Sequence, residues 1–503
     1  MFIHELRNDP QLKPIYMQNK IHELYNVAPS HDQCRKAKKK ALEMIEKEFN
    51  EQYARMKDYR DELKARNPHS TVEVRTEVNA MGTEVFDSFY ICFSGLRDTW
   101  KDHCRPIFGI DGCFLKSDAK GQLLAAIGRD ANNQIYPFAW AVVQVENTES
   151  WLWFIRHLKN DLGLGKGDGF TVISDRQKGL LNVVNEELPE IEHRMCARHI
   201  YGNMKKAHPK KPQMKTLFWR VVKSFNEGDY AKNLEKMKSY DIGVYEAFMS
   251  RNPRNCSLAF FKTHSQCEDA LNNFSKSYNN TLEKPRAMPL IQSLETMRRQ
   301  AMVRIAVRRK KAEKLKGKHT EKVSLVIVVE DKKVKKLRTI PGRPNLFEVI
   351  EKGHGHKVDM KAKTCQCRRW DLTGIPCRHA LRVVFDNPRS YNIEDLISDC
   401  YLVSKLQIQY LESIGPVNGM KFWSESGGSR LEGKPREVHK GRKKNPEKQI
   451  KAITESPTKG KKVTNHGRVM HCYRCGFAAH NSSKCPNVDV PFKPRPPKKK
   501  KKN

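Results

Sequence analysis

The sequence predicts an α/β protein built on one mixed sheet, with a helical region before it and small Cys/His modules after it. Three observations carry this. In Arg105 to Lys116, RPIFGIDGCFLK, a β-branched and aromatic run suited to a buried central strand ends on one carboxylate, Asp111. A turn signal at Asp130-Ala131-Asn132-Asn133 separates two further apolar runs and marks an antiparallel hairpin. Helical and strand periodicities then alternate as far as Arg194, as they do in α/β proteins.

A chain of 503 residues exceeds what one hydrophobic core usually fills, so several modules are expected. The formal net charge is +37, from 94 Lys plus Arg against 57 Asp plus Glu. Such a surplus calls for a polyanionic partner, nucleic acid foremost, or for solvent-extended basic tails. No run approaches the ~18 apolar residues of a membrane span, and the start MFIHELRNDPQ lacks the apolar core of a signal peptide, so no membrane role is expected. Of fourteen Cys, six fall in two compact Cys/His clusters, a usage that fits a reducing compartment and structural zinc.

Residues 1–68 read as a helical N-terminal region. The segment before Lys40 suggests a short helix, a turn at Ala28-Pro29-Ser30 and a basic second helix. One apolar stripe, Ala41, Ile45, Phe49, Tyr53 and Met56, lies in a helix expected from His31 to Arg66 and ended by Asn67-Pro68. A DNA-docking helix-turn-helix and a solvated packing arm both account for it. Residues 69–104 form a connecting segment whose TVEVRTEV and VFDSFYICFS look like strands.

The core is expected over 105–310. Asp111 itself has two readings, a turn residue at the strand exit or an oxygen ligand for a hard divalent cation. After the hairpin a helix begins near Thr148 and Glu149, buries Trp151, Phe154, Ile155 and Leu158, and closes at Gly163 to Gly167. GFTVISDR repeats the first pattern, a strand that ends on Asp175, followed by the helix KGLLNVVNEEL and a short strand at Ile191 to Arg194. Three antiparallel strands, then helix, strand, helix, strand describes the ribonuclease H-like core. With the first strand central and the fourth beside it, Asp111 and Asp175 would meet at a metal site. Residues about 200–265 read as a helical insertion, because the periodicity is too long for a loop. Pro289 opens a helix striped with Leu290, Leu294, Met297, Ala301 and Ile305, and order is expected to fade in the basic RRKKAEKLKGK.

Beyond Asn345 the ligand spacing dominates. Cys365-x-Cys367 and Cys377-x-His379 place three thiolates and one imidazole within fifteen residues, a tetrahedral zinc set in a module spanning 345–385. A helical segment over 386–417 follows. Residues 418–469 form a basic linker too poor in apolar residues to fold alone. Cys472, Cys475, His480 and Cys485 make a second zinc set within 470–487. Its Tyr473 and Phe477 would either stack on bases or cover the metal. The disordered basic tail, 488–503, ends in PFKPRPPKKKKKN, read as a nuclear import signal or as a solvating tail.

The run CQCRRWDLTGIPCRHA resembles the SWIM-type zinc finger, and the second set resembles the CCHC zinc knuckle, with Ala479 where knuckles usually carry Gly. In order, GIDGCFLK, ISDRQKGL, HRMCARHIYGNMKK, FKTHSQCEDALNNFSKSYN, finger and knuckle resemble plant Mutator-like (MULE, MuDR family) transposases. The resemblance implies a DDE core in which three carboxylates hold two Mg2+ or Mn2+ ions for phosphoryl transfer on DNA. Asp111 and Asp175 match the first two carboxylates. Cys196 and His199 match the family's Cys-x2-His signature, either a partial metal site or a packing element. Lys276 stands where the family carries its Glu, and an ammonium group cannot ligate Mg2+. Glu268 and Glu283 lie nearby but out of register by about two helical turns.

The function expected is therefore a nuclear, zinc-binding, DNA-binding protein with two zinc ions and a weakened or inactive transposase core. Alternatives are a domesticated DNA-binding transcriptional regulator and an RNA-binding protein acting through its knuckle. The zinc modules could also contact single-stranded nucleic acid or protein, and oligomerisation is compatible with the sequence.

Overall fold

Helices α1 (Ile3–Asn8), α2 (Pro14–Tyr25), α3 (His31–Ala54) and α4 (Met56–Arg66) open the chain. The computed structural model describes residues 1–117 and 121–433, together with Cys472, Arg474, Cys475, Cys485 and Pro486. Phe2, Leu6, Met17, Cys34 and Ile45 bury a small cluster of their own among α1, α2 and α3. α3 starts at a capping box, in which Ser30 Oγ accepts from the Gln33 N–H and Gln33 Oε1 accepts from the Ser30 N–H. The single helix expected over His31 to Arg66 is two. Arg55 leaves helical geometry, and its guanidinium is held by Asp58 at 2.9 Å and by the Trp423 carbonyl at 3.2 Å.

Strands β1 (Thr71–Val78) and β2 (Glu84–Cys92) and helix α5 (Ser94–His103) lead into β3 (Ile107–Phe114), β4 (Gln122–Arg129) and β5 (Ile135–Val143). Helix α6 (Thr148–Leu162) ends at Gly163 in the left-handed region, where glycine meets no Cβ penalty. Then follow β6 (Thr171–Ser174), α7 (Lys178–Glu187) and β7 (Glu192–Met195). The seven strands make one sheet in the order β1-β2-β5-β4-β3-β6-β7. β3 lies between an antiparallel partner, β4, and a parallel one, β6. Its pairing with β6 stops at Gly109↔Ile173, whereas its pairing with β4 continues to Phe114↔Gln122. Beyond Gly109 the β6 side of β3 is therefore free of strand pairing, and Asp111 and Asp175 lie on either side of that gap.

Asp111 is not a turn residue. It sits inside β3, opposite Ala125, and the strand continues for three residues after it.

Helices α8 (Ala197–Ala207), α9 (Met214–Val222), α10 (Glu227–Tyr240) and α11 (Ile242–Met249) make a helical insertion after β7. Their own core includes Met204, Phe218, Val221, Val244 and Phe248. Helix α12 (Asn273–Thr281) then crosses β3. It fits because residue 109 is glycine: a Cβ there would stand 2.3 Å from the Phe274 ring and 2.5 Å from Asn272 Oδ1. Helix α13 (Leu290–Glu313) carries the predicted stripe into the main core.

Order does not fade after α13. Helix α14 (Glu321–Val334) follows and packs Val323 against Ile375, Ile397 and Tyr401. Its Glu330 is buried and held by Arg378 at 3.2 Å and Lys333 at 3.2 Å. The finger region comprises a second sheet, β8 (Arg338–Pro341), β9 (Leu346–Glu351), β10 (His354–Asp359) and β11 (Thr364–Cys365), with α15 (Arg369–Thr373) and α16 (Arg378–Asp386). It is docked on the insertion, since the Arg368 guanidinium donates to the carbonyls of Phe261, at 2.7 Å, and Ala259. Helices α17 (Ile393–Leu396) and α18 (Val403–Gln409) follow.

The linker expected to begin at 418 is part of the fold as far as Gly433. Trp423 and Leu431 are buried in the main core, and Glu432 pairs with the edge of β2 through Phe86 N–H, at 2.9 Å, and Glu84 O, at 3.0 Å. Met1–Lys434 accordingly packs as one compact unit, and Pro435–Asn503 forms another.

Candidate functional site

Asp111 and Asp175 come from adjacent parallel strands, Asp111 within β3 and Asp175 directly after β6. Asp111 Oδ2 accepts from Asn279 Nδ2 at 2.9 Å, and Asp175 Oδ1 accepts from the Gln177 N–H at 3.0 Å. Burial and the neighbouring Asp175 carboxylate push the Asp111 carboxyl up to about 7, against the pull of His199 and with a further push from Glu146. This is the signature of like charges held together in a poorly solvated place.

Cys196 and His199 belong to the same neighbourhood. Cys196 follows β7, its Sγ accepts from the Asn272 N–H at 3.3 Å, and it shares a hydrogen bond with His199. That bond raises the His199 imidazole, and the charges of Asp175 and Asp111 raise it further. The pair thus places an imidazole of raised basicity beside the acidic groups.

Position 276 lies on α12 between Asn272, whose Nδ2 donates to Ile110 O at 2.8 Å, and Asn279. The face of α12 turned to the protein carries Phe274, Ser275, Tyr278 and Asn279. The Lys276 side chain is exposed. The two nearby carboxylates are engaged elsewhere, Glu283 with Lys116 at 3.0 Å and Glu268 with Arg369 at 3.9 Å.

Sequence reasoning missed Glu146. This residue ends the third apolar run, IYPFAWAVVQVE, so it repeats the pattern that singled out Asp111 and Asp175. Its carboxyl group lies over Gly112, where a Cβ would stand 3.1 Å from Cδ and Oε2. The Gln122 amide, oriented by its hydrogen-bonding neighbours, donates to Glu146 Oε2 at 2.6 Å and accepts from the Glu146 N–H at 3.3 Å. Burial and Asp175 raise the Glu146 carboxyl above its ordinary value.

In the finger, Cys365, Cys367, Cys377 and His379 bring four ligand atoms within 4.8 Å of one another. His379 Nδ1 lies 3.5 Å from Cys365 Sγ and 3.9 Å from Cys377 Sγ. A tetrahedron with Zn–S of about 2.3 Å and Zn–N of about 2.0 Å has S···N edges of roughly 3.5 Å, so the set fits zinc. The other ring nitrogen, Nε2, faces Glu351 Oε2 at 3.1 Å, which sets the ring orientation and leaves Nδ1 for the metal. Asp371 Oδ2 accepts from the Cys365 N–H at 3.0 Å and fixes the first knuckle of the loop. Cys472, Cys475 and Cys485 also gather within 4.8 Å. His480, Tyr473, Phe477 and Ala479 lie outside the described residues. Among the described residues, the remaining such group is Glu351, His356 and His379, whereas the acidic set around Asp111 is wider.

A cleft of about 640 Å³ lies between the finger and the insertion, lined by Trp219, Arg220, Lys223, Phe225, Arg369 and Arg378 and also by the acidic Asp229 and Glu351. Arg378 is ion-paired to Glu330 and Glu351, and Arg369 stacks its guanidinium 4.0 Å from the Phe225 ring centre.

No curated protein matches the chain. Residues 107–203 match the MULE transposase domain family, a span that holds Asp111, Glu146, Asp175, Cys196 and His199. Residues 355–386 match the SWIM zinc finger family and include all four ligands of the first zinc set. The two matches, joined to the ligand geometry, support a transposase-derived zinc-binding protein.

Proposed function

We propose that this chain is a nuclear DNA-binding protein descended from a Mutator-like transposase, with a ribonuclease H-like core and two structural zinc modules, the SWIM finger and a CCHC knuckle. The observation that carries the reading is the approach of Asp111 and Asp175 from adjacent parallel strands, inside the span that matches the transposase domain. In this reading the pair is what remains of a Mg2+ or Mn2+ centre for phosphoryl transfer. Lys276 on α12 denies that centre the family's third carboxylate. It favours a second role too, a DNA-binding regulator that keeps the fold and fingers without transposition.

DNA affinity is expected to fall by roughly 10³ or more between 50 and 200 mM salt, because the contacts are to phosphate. Replacing Arg220 and Lys223 together by Ala should reduce the salt slope by about two and weaken binding to all sequences alike. Fluorescence anisotropy with labelled duplexes measures both, and a flat salt response would refute the DNA-binding reading. In a Mg2+-dependent strand-transfer assay on terminal-repeat DNA, the unaltered protein should show little activity and Lys276→Glu should raise it. Strong activity that Asp111→Ala abolishes would overturn the role given to Lys276.

A further inference from the structure

The acidic corner of the sheet holds an unexplained group. Asn279 is 9% exposed, its Nδ2 donates to Asp111, and its Oδ1 has no hydrogen-bond partner among the described residues. A buried amide oxygen without a donor is costly, on the order of 1–3 kcal/mol. It is carried by the same amide that touches Asp111, so it lies beside that carboxylate. Three carboxyl groups, Asp111, Asp175 and Glu146, feel one another's charge at this place. Gln122 anchors Glu146 on both its side chain and its backbone, so the carboxyl group is held rather than free to turn away. Gly112 leaves the room it occupies. Repelling carboxylates and an orphan amide oxygen are the surroundings that a hard cation satisfies at once, since carboxylate and carbonyl oxygens suit Mg2+ and Mn2+.

The groups reach the site from different elements. α12 brings Asn279, while the β5–α6 connection brings Glu146. We propose that Glu146, Asp111 and Asp175, together with the Asn279 amide oxygen, form the oxygen-ligand set of a divalent-cation site, with Glu146 supplying the third carboxylate that position 276 lacks. The proposal rests on reading Asp111 and Asp175 as a metal centre. Oxygen ligands about 2.1 Å from one cation lie no more than about 4.2 Å apart, so the three carboxylates, which spread wider than the finger's ligands, draw in when the cation binds.

The test is a Mn2+ titration of the full zinc-loaded chain, reading free Mn2+ by electron paramagnetic resonance. Glu146→Gln is expected to weaken binding at least tenfold, Asp111→Asn to abolish it, and Glu283→Gln, a carboxylate paired with Lys116, to leave it unchanged. Without added Mn2+, Glu146→Gln should raise the melting temperature by relieving repulsion, and the rise produced by Mn2+ should shrink; a residue needed only for packing would lower it instead. Glu146→Asp, which keeps the charge, should recover part of the affinity. If Glu146→Gln binds Mn2+ like the unaltered chain while Asp111→Asn does not, the role of Glu146 is refuted and the metal-centre reading stands. If neither substitution changes binding, both are refuted.

Discussion

Cys377→Ala is expected to cost the chain one of about two zinc ions and to unfold the finger while the main sheet stays intact. Cys377 is fully buried, and its sulfur shares the metal cluster with Cys365, Cys367 and His379. The apolar core of this region is small, with Val349, Val358, Trp370, Val383 and a few neighbours. A core of that size does not offset the chain entropy of its loops, whereas structural zinc contributes about 10–16 kcal/mol in finger peptides near neutral pH. Loss of the metal should therefore release Trp370, whose indole now donates to the Leu396 carbonyl at 3.2 Å. A red shift of tryptophan emission and a fall of one zinc per chain by elemental analysis are the expected results. Cys400→Ala, a half-buried thiol outside the cluster, should leave zinc unchanged. An unaltered zinc content in Cys377→Ala would remove the ligand assignment.

Because the finger docks on the helical insertion, its unfolding should also reach the cleft. Arg368 would give up its bonds to the Phe261 and Ala259 carbonyls, and Leu372 would leave the insertion's core. If the cleft takes part in the DNA binding proposed above, Cys377→Ala weakens that binding through the lost arrangement of Arg369 and Arg378 on the cleft wall.

Trp423→Ala is expected to destabilise the main unit by about 3–5 kcal/mol, the usual range for a buried tryptophan. The ring is 6% exposed and lies 5.2 Å from the Tyr59 ring centre, and Arg55 stands 6.0 Å above it. Its indole N–H donates to the Asn418 carbonyl at 2.7 Å. Truncation leaves a cavity and exposes the bonds that Arg55 makes to the Met420 and Trp423 carbonyls. Chemical denaturation followed by circular dichroism should show an earlier midpoint with zinc content unchanged. An unshifted midpoint would mean that residues 418–433 ride on the surface without stabilising it.

How much was legible beforehand varies with the range of the interaction. The four finger ligands sit within fifteen residues, and tetrahedral zinc demands such spacing, so Cys365, Cys367, Cys377 and His379 could be named without a fold. Strand β3 and the hairpin of β4 and β5 were legible for a similar reason, since β-branched runs and an Asn-rich turn are local signals. Helix α14 was not. Its EKVSLVIVVEDKKV follows a basic run, and it is held by Arg378 and by the Val323 contacts with Ile375 and Tyr401, partners that lie far along the chain.

By itself, then, the sequence determined what nearest neighbours decide: the zinc ligand spacing, the strand runs that stop on carboxylates, and the lysine at position 276. The tertiary structure decided what distant segments share. It placed Asp111 inside a strand rather than at a turn, seated Trp423 and Leu431 in the core, and set Glu146 over Gly112 near Asp175. The physical reason is that periodicity reports which face of an element is buried, while the groups that meet across a sheet are set by strand order and register. Glu146 carried the same local mark as Asp111 and Asp175, and only the joining of β3, β4, β5 and β6 in one sheet brought the three within reach of one another's charge.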